Sequence, residues 1–406
     1  MTEAEHDLID WLSCQALLNT DMAILLQGFC ERLFAFGVPI ARGHLSTATL
    51  DPCQRGFSLT WHKGSGLSRQ QSFLYAQEQP QGWYQSPMYY LLQHDLAEIH
   101  CRLLPAGEPD FPVFDEFRQA GLTDYYAALF GFGWATDTRQ AENIRQLGMI
   151  CTWASDAPDG FANQLQRLKR LLPTFALAVK STMLTQITQT VFASYLGSDA
   201  AARVLRGEVR RGIAQRIHAA ICFADFRGFT RLADTIPGDE LMAMLNRYLE
   251  CIVKPIEQQG GEVLKFMGDG LLATFELTNH SASARCEAAV SAAMEALLNV
   301  KTLNNERRAT HEPVLELDLV LHLGEVSYGN VGSASRLDFT VIGPAVNEAA
   351  RMEALCGSLN VNLIVSKAFR DMIGTSGHRL VHLGQHRLRG VREPKSLYTM
   401  ADSSLP

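Results

Sequence analysis

The spacing of hydrophobic and polar residues divides the chain into stretches with different predicted structure. Up to about residue 170, helical spacing gives way to short alternating runs, among them "ARGHLSTATL" and "RGFSLTWHKG". Alternation of this kind predicts strands of an antiparallel sheet. The run "ENIRQLGMICTWASDAPDGF" predicts a further strand, closed by a turn rich in Asp, Pro and Gly. We therefore predict a mixed α/β domain over residues 1–161.

A long helix follows, and we interpret residues 162–200 as a connecting, dimerising helix. Apolar side chains recur along it at steps of three and four residues: Leu172, Phe175, Val179, Met183 and Ile187. A stripe with this spacing either pairs with a second copy of the helix or packs on its own domain. The spacing alone leaves both alternatives open.

The pattern changes again over residues 201–406. It predicts a strand at 217–225, a helix at about 238–259, a hairpin at 262–276, a helix at about 281–306, strands at 314–324 and 337–342, and a helix from Pro344 to Gly357. Strand, helix, hairpin, helix and strand in this order form the ferredoxin-like βαββαβ arrangement, an α/β (α+β) sandwich with one open sheet.

Composition and charge narrow the class of protein. A chain of 406 residues, with 47% hydrophobic and 19% charged residues, is typical of a globular protein of about two domains. The net charge of −7 argues against a nucleic-acid partner, which requires a basic surface. No apolar run approaches the roughly 18 residues of a membrane span, and the acidic N-terminus lacks a signal sequence. The nine cysteines lack CxxC spacing, so we expect reduced thiols and a cytoplasmic location.

Two aspartates lie where core-like segments end. Asp225 follows the apolar run of "ICFADFRGFT", and Asp269 lies at the hairpin tip of "LKFMGDGLLATF". Taken singly, they read as a helix cap and a turn residue. In a βαββαβ sheet, however, the first strand and the hairpin are neighbours, and two adjacent carboxylates repel unless cations lie between them. Oxygen ligands suit Mg²⁺ or Mn²⁺, so we predict the two-metal site of phosphoryl or nucleotidyl transfer.

The residues after Asp225 provide a second candidate feature. A glycine and a predicted helix start follow the strand, and backbone N–H groups at a helix N-terminus suit an anionic phosphate. The candidate phosphate-binding residues are Phe226, Arg227, Gly228, Phe229 and Thr230.

Three stretches, "FADFRGFT", "KFMGDGLLATF" and "FTVIGPAVNEAAR", resemble the signature motifs of class III nucleotidyl cyclases over about residues 195–402. The resemblance implies conversion of a nucleoside triphosphate to a 3′,5′-cyclic monophosphate and pyrophosphate. It implies that Asp225 and Asp269 bind two metal ions, and that the carbonyl of Phe226 adds a ligand. Phe226 stands where the family more often has an aliphatic residue, which a backbone ligand tolerates.

The resemblance also assigns residues that contact the nucleotide. Asn347 and Arg351 share one face of a helix, and an arginine there neutralises charge that develops on the transferring phosphate. Arg389, in "RLRGVREPK", stands at the position of a family lysine that holds the triphosphate, and nearby Lys395 is an alternative.

Two further positions, Lys265 and Thr340, match the side chains with which the family reads the purine. An ammonium group only donates, which suits N1 of adenine, and a hydroxyl accepts from the 6-amino group. Guanine presents the reverse pattern, so we predict ATP as the substrate, although many relatives carry Asp at the position of Thr340. The resemblance implies a head-to-tail homodimer in which one chain supplies the metal aspartates. The partner chain supplies Lys265, Thr340, Asn347, Arg351 and Arg389.

The N-terminal domain resembles GAF-type sensor domains of bacterial cyclases, which implies a signal or partner of unknown identity. The function predicted for the whole chain is that of a cytoplasmic, homodimeric adenylate cyclase with an N-terminal regulatory domain. The alternatives are a guanylate cyclase and a catalytically silent module that binds nucleotide. A silent module is expected to lose a metal aspartate or the Asn347–Arg351 pair, and this chain keeps all four residues.

Overall fold

The computed structural model describes residues 2–133, 148–277, 282–373 and 380–401. It separates into two compact units, Met1–Ser194 and Tyr195–Pro406. Each unit contains helices and a β-sheet, so the predicted mixed α/β fold class is confirmed. The domain boundaries predicted at residues 161 and 200 stay predictions. Within the described ranges, no helix has the length and apolar character needed to cross a membrane.

The N-terminal unit contains an antiparallel sheet of six strands in the order β3-β2-β1-β6-β5-β4. Strand β1 lies within the first of the two alternating runs from which an antiparallel sheet was predicted, and β2 overlaps the second run, starting one residue before it. The elements are α1 (Glu3–Leu17), α2 (Met22–Ala35), β1 (Arg42–Ala48), β2 (Gln54–His62), β3 (Gly66–Leu74), α3 (Gln81–Tyr84), α4 (Pro87–Gln93), β4 (Glu98–Arg102), α5 (Pro112–Gln119), β5 (Asp124–Gly131), β6 (Gly148–Ser155) and α6 (Leu165–Leu196).

The long helix α6 packs on its own unit. All five residues of the apolar stripe, Leu172, Phe175, Val179, Met183 and Ile187, are buried in the core with α1, α2 and the sheet. The Phe175 ring stacks on Phe29 of α2 with centroids 4.3 Å apart, and its edge meets Trp153 of β6. Of the two alternatives, the stripe therefore packs on its own domain. The interpretation that it pairs with a second copy is corrected, because these side chains already have partners inside the unit.

The C-terminal unit contains an open sheet in the order β13-β14-β12-β10-β7-β9-β8, and β11 pairs with the far end of β10. The elements are α7 (Ser198–Leu205), β7 (Ala214–Arg227), α8 (Phe229–Ala233), α9 (Gly238–Gln258), β8 (Glu262–Met267), β9 (Gly270–Glu276), α10 (Ala282–Ala309), β10 (Glu316–Gly332), β11 (Leu337–Ile342), α11 (Pro344–Glu353), α12 (Cys356–Leu359), β12 (Leu363–Ser366), α13 (Lys367–Met372), β13 (Leu380–His386) and β14 (Lys395–Met400).

Several elements have bounds other than those predicted, among them β7 (Ala214–Arg227 instead of 217–225), β10 and α11. Strand β10 continues to Gly332 rather than ending at 324, because its glycines serve close packing instead of a turn. A Cβ atom on Gly324 would lie 2.4 Å from Cβ of Ala345 on α11, and one on Gly329 would lie 2.2 Å from the carbonyl oxygen of Ile213. Helix α11 ends at Glu353, before Gly357, and the separate helix α12 follows it.

The alternation of side chains along β7 divides them between two cores. Cys222, Ala224 and Phe226 pack on the side of α9 and α10, whereas Ile217 and Ile221 pack on the side of α11. Asp225 falls on the α11 side by the same alternation, directly across from Asp318 of β10. This register brings acidic residues from different elements to one face of the sheet.

Candidate active site

The structure brings the two predicted metal aspartates together. Strands β7 and β9 pair antiparallel with Ala224 opposite Leu271, so the turn that carries Asp269 lies beside Asp225. A Cβ atom on Gly270 would lie 2.7 Å from Oδ1 of Asp225, so this close approach requires glycine. Gly268, on the other side of Asp269, has a φ of 70°, which also favours glycine.

The two carboxyl groups destabilise each other's charge. Burial, and then the nearby charge of Asp269, raise the pKa of the Asp225 carboxyl to about 6. Burial also raises the pKa of Asp269. In the described ranges, no lysine, arginine or histidine forms an ion pair with either aspartate. Half-buried carboxylates without a cationic partner suit a hard cation, so these residues fit Mg²⁺ or Mn²⁺.

The described residues contain no group of three or more His, Cys, Asp or Glu side chains arranged to hold a metal ion. A cation held only by Asp225, Asp269 and a backbone carbonyl would keep coordination positions open for water or phosphate. Class III cyclases generally use divalent metal ions, and an open site of this kind suits that use.

Two further acidic residues adjoin this pair and were missed by the sequence prediction. Asp318 lies across from Asp225 in the β7–β10 ladder. Glu353, at the end of α11, has a pKa raised to about 7 by burial and then by Asp225 and Asp318. Neither residue lies in the three motif stretches, and their position follows from strand register and helix packing. No local sequence signal identifies them.

Arg227 pairs with two acidic residues of β10, one of which is Asp318. Its Nε and Nη2 donate to the two carboxylate oxygens of Asp318 at 3.0 and 2.6 Å. Its Nη1 donates to Oε2 of Glu316 at 3.1 Å. The Arg227 side chain is therefore already paired, and the phosphate contact predicted for this residue is that of its backbone N–H group.

The remaining predicted phosphate-binding residues form the turn after β7. Gly228 adopts a left-handed conformation with φ of 90°, and Phe229 and Thr230 begin the short helix α8. The Phe226 ring is buried against Tyr248, with centroids 5.3 Å apart. The large ring that replaces an aliphatic side chain thus points into the core, and the backbone carbonyl is the only polar group that Phe226 has available for a metal.

The predicted base-reading residues lie on β8 and β11. The Lys265 ammonium forms an ion pair with Asp338, a residue that the sequence prediction did not include. Asp338 and Thr340 are two residues apart on β11, so they share a face of the strand, whereas Phe339 and Val341 pack into the core. Lys265 is therefore brought to the strand face that carries Thr340.

Asn347 and Arg351 lie on α11, as predicted. A Cβ atom on Gly390 would lie 3.6 Å from Nη1 of Arg351, so the turn after Arg389 lies against this guanidinium group. The Lys395 ammonium is 3.0 Å from Oε2 of Glu348 on the same helix. Arg389 is exposed and forms no ion pair with the described residues. Of the two candidates for the triphosphate, Arg389 is thus the one with a free charge.

Residues 214–402 match a family model described as the adenylate and guanylate cyclase catalytic domain. The chain is 25% identical over 223 residues to the adenylate cyclase of Anabaena cylindrica, covering 55% of this chain and 41% of that protein. It is 31% identical over 208 residues to an uncharacterized protein of Mycobacterium tuberculosis, covering 51% of this chain and 37% of that protein. It thus spans less than half the length of either relative.

Among solved structures, the chain is similar to the adenylyl cyclase CyaB from P. aeruginosa, with 28% identity and a TM-score of 0.42 over 47% of this chain and 96% of that one. It is also similar to the guanylyl cyclase Cya2, with 25% identity and a TM-score of 0.40 over 47% of this chain and 96% of that one. The family match supports a class III adenylate or guanylate cyclase catalytic domain in the C-terminal part of this chain.

Proposed function

We propose that this protein is an adenylate cyclase that converts ATP to 3′,5′-cyclic AMP and pyrophosphate. The observation that carries the proposal is the pair of carboxylates, Asp225 and Asp269, which lie close together without an ion-pair partner among the described residues. The relative from Anabaena cylindrica, which is named an adenylate cyclase, agrees with this assignment.

In the reaction, the ribose 3′-hydroxyl releases its proton to solvent water and its oxygen forms a bond to the α-phosphorus. The bond between the α-phosphorus and the pyrophosphate leaving group breaks. Two Mg²⁺ or Mn²⁺ ions, bound by Asp225, Asp269 and the Phe226 carbonyl, would supply the positive charge that activates the hydroxyl and stabilises the leaving group. Arg351 donates to the oxygens of the transferring phosphate where negative charge develops, and Asn347 orients the ribose. The backbone N–H groups of residues 227–230 and the side chain of Arg389 bind the triphosphate.

The choice of ATP over GTP rests on Lys265 and Thr340. The lysine donates to N1 of adenine, and the threonine hydroxyl accepts from the 6-amino group. Asp338, the ion-pair partner of Lys265, fixes the direction of the ammonium group before the nucleotide arrives. Guanine would place its N1–H donor against an ammonium group, which has no lone pair to accept it.

We assign the complete site to a homodimer, in which the residues that bind metal come from one chain and those that read the base come from its partner. A twofold-symmetric interface of this kind builds two identical sites. We further assign residues 1–161 to a GAF-like regulatory domain, residues 162–200 to the connection, and residues 201–406 to the cytoplasmic catalytic domain. The six-stranded antiparallel sheet of the N-terminal unit supports the GAF-like fold in this assignment, and the regulatory role rests on the resemblance alone.

The test is to incubate the purified full chain with ATP or GTP and Mn²⁺ and to identify the product by chromatography and mass spectrometry. We expect 3′,5′-cyclic AMP and pyrophosphate in equal amounts, with a higher kcat/KM for ATP than for GTP. A cyclic GMP product with a comparable kcat/KM would replace the proposal with the guanylate cyclase alternative. Binding of nucleotide without any product would favour the silent module.

A further inference from the structure

Arg227 is two residues after Asp225 on the same strand, and it has a choice of acidic partners. Residues two apart on a strand project from the same face about 6.6 Å apart along the chain, which an arginine side chain spans. Asp318 lies across from Asp225, and Glu316 lies across from Arg227 itself. The guanidinium group is therefore within reach of Asp225 and of the two acidic residues of β10.

In the structure, the acidic partners of the guanidinium group are both on β10, and its Nη2 also donates to the carbonyl oxygen of Val361 at 3.5 Å. Its contact with Asp318 is bidentate, with both carboxylate oxygens accepting at 3.0 and 2.6 Å, and its remaining terminal nitrogen donates to Glu316 at 3.1 Å. A bidentate arginine–carboxylate pair is among the strongest and most directional of side-chain contacts. The Asp318 side chain is only 5% exposed, so its carboxylate is held in place by its surroundings.

The contact between Arg227 and Asp318 also affects Asp225, because the register of β7 and β10 places Asp225 directly across from Asp318. Directly opposed residues on one face of an antiparallel pair have Cβ atoms about 4.5–5.5 Å apart, and like charges at this distance repel. Arg227 neutralises Asp318 and thereby removes most of that repulsion. The same contact keeps the Arg227 guanidinium group from neutralising Asp225, which stays available to a cation.

We propose that Asp318 is a positioning residue that holds the Arg227 guanidinium group away from Asp225 and so keeps the metal site open. Asp318 does not bind the metal in this proposal. Without its carboxylate, the guanidinium group turns to Asp225, and an incoming cation has to displace it. The inference rests on the proposed metal site at Asp225 and Asp269, and it adds a residue that the sequence motifs do not contain.

The test uses the full chain and Mn²⁺ alone, with binding measured from the loss of the electron paramagnetic resonance signal of free Mn²⁺. Asp269→Asn establishes that the signal reports this site. If the unmodified protein and Asp269→Asn bind Mn²⁺ equally, the proposed metal site fails. If Asp269→Asn weakens binding, the metal site stands, and the variants of Asp318 then test the positioning role separately.

We expect Asp318→Asn, which keeps the shape of the side chain, to weaken Mn²⁺ binding about tenfold. The reason is that Mn²⁺ then has to displace a charge-assisted contact between Arg227 and Asp225. We expect the double variant with Arg227→Gln to return to within about twofold of the unmodified protein, because no guanidinium group remains to compete. Glu250→Gln is the matched control, since it removes an exposed carboxylate that pairs with Lys254 on α9. It should leave Mn²⁺ binding unchanged.

Weaker Mn²⁺ binding in Asp318→Asn could follow from movement of Arg227 or from the loss of one negative charge. A crystal structure of the metal-free variant distinguishes the two. We expect the guanidinium group within hydrogen-bond distance of Asp225. Should Asp318→Asn fail to fold, Glu316→Gln releases one nitrogen of Arg227 without touching the buried carboxylate, and we expect about two- to threefold weaker binding. Three results would each overturn the proposal. The first is unchanged Mn²⁺ binding in the variant that folds. The others are a double variant that does not recover binding and an Arg227 side chain that stays on β10.

Discussion

At the scale of single residues, the candidate site depends on charges that the fold brings unusually close together. Asp225 and Asp269 lose solvent on folding and oppose each other, so their ionised forms are destabilised until a cation is present. Lys265, Arg227 and Lys395 each have an acidic partner in the same chain, whereas the two metal aspartates have none among the described residues. The acidic pair is thus a part of the site whose negative charge is not balanced within the described residues.

Asp225→Asn and Asp269→Asn are expected to abolish cyclase activity while the fold persists. Each substitution keeps the shape of the side chain but removes a charged metal ligand, and it also removes repulsion within the pair. The measurements are the rate of product formation with Mg²⁺ and with Mn²⁺, and the midpoint of thermal unfolding. Near-normal activity of either variant with Mg²⁺ would refute the site assignment.

The stability of the metal-free protein should depend on the pKa of Asp225. Because this pKa is raised from an ordinary 3.8 to about 6, the folded state binds more protons than the unfolded state between these values. The free energy of unfolding should therefore fall as the pH rises from about 4 to about 6, and Asp225→Asn should flatten this slope. Denaturant unfolding with a chelator present, at several pH values, measures the effect. An unchanged slope in Asp225→Asn would assign the dependence to other groups.

Lys265→Glu is expected to reduce the preference for ATP over GTP. A carboxylate accepts from the N1–H group of guanine and repels the lone pair of adenine N1. The measurement is the ratio of kcat/KM for the two nucleotides. Asp338→Asn is the matched control, because it breaks the same ion pair but leaves the lysine in place. If both variants change the ratio equally, the ion pair and not the ammonium group selects the base.

At the scale of elements, the β8–β9 turn brings the metal site together. Gly270 begins β9, and its missing side chain leaves room for Asp225 and for the carbonyl oxygen of Ala224, to which a Cβ atom would be only 2.6 Å away. Any side chain at this position pushes the turn away from β7. The distance between the two aspartates then increases, and the metal ions lose a common pair of ligands.

Gly270→Ala should therefore lower both activity and stability. We expect a destabilisation of about 1–3 kcal/mol from overpacking and at least about a tenfold loss of Mn²⁺ binding. Gly238→Ala, at the start of α9, is the control, because a Cβ atom there meets no atom within 4 Å. Denaturant unfolding and Mn²⁺ titration compare the two variants. Equal behaviour would show that the space at Gly270 is not required.

At the scale of the whole molecule, the proposed site needs two copies of the chain. Lys265 and Asp269 lie on one hairpin, yet the turn takes Asp269 to Asp225, whereas the bulged strand β8 takes Lys265 to Asp338 on β11. Within one chain, Asp269 thus lies beside Asp225, whereas Lys265 is paired with Asp338. In the proposed head-to-tail homodimer, the metal-binding residues of each chain meet the base-reading residues of the partner.

Asp269→Ala and Arg351→Ala should each be inactive alone, because every site of either homodimer lacks an essential group. A heterodimer of the two variants places both lesions in one site and leaves the other intact. Co-expressed with different tags, the pair should recover up to about half of the normal activity per heterodimer by this symmetry. Persistent inactivity of a purified heterodimer would exclude shared sites.

The sequence by itself determined the mixed α/β class, most element positions and the acidic pair. These features depend on local patterns: the apolar run before Asp225, the Asp-Gly turn at 269–270, and the helical spacing after Pro344. Strand β11 was predicted with its observed bounds, Leu337–Ile342, because proline and glycine mark its end. The predicted end of β10 was wrong, since Gly324 and Gly329 serve close packing instead of a turn. The predicted end of α11 was wrong as well, because Gly357 lies inside the separate helix α12.

Only the tertiary structure decided which residues share a surface. Asp318 faces Asp225 through the register of two strands that are far apart in sequence, and Arg227 turns toward Asp318 for the same reason. The stripe on α6 was equally suited to a second copy, and the rings of Phe29 and Trp153 decided that it packs within its own unit. The physical reason is common to these cases. Hydrophobic period and turn chemistry act over a few residues, whereas register and side-chain partners depend on contacts between distant segments.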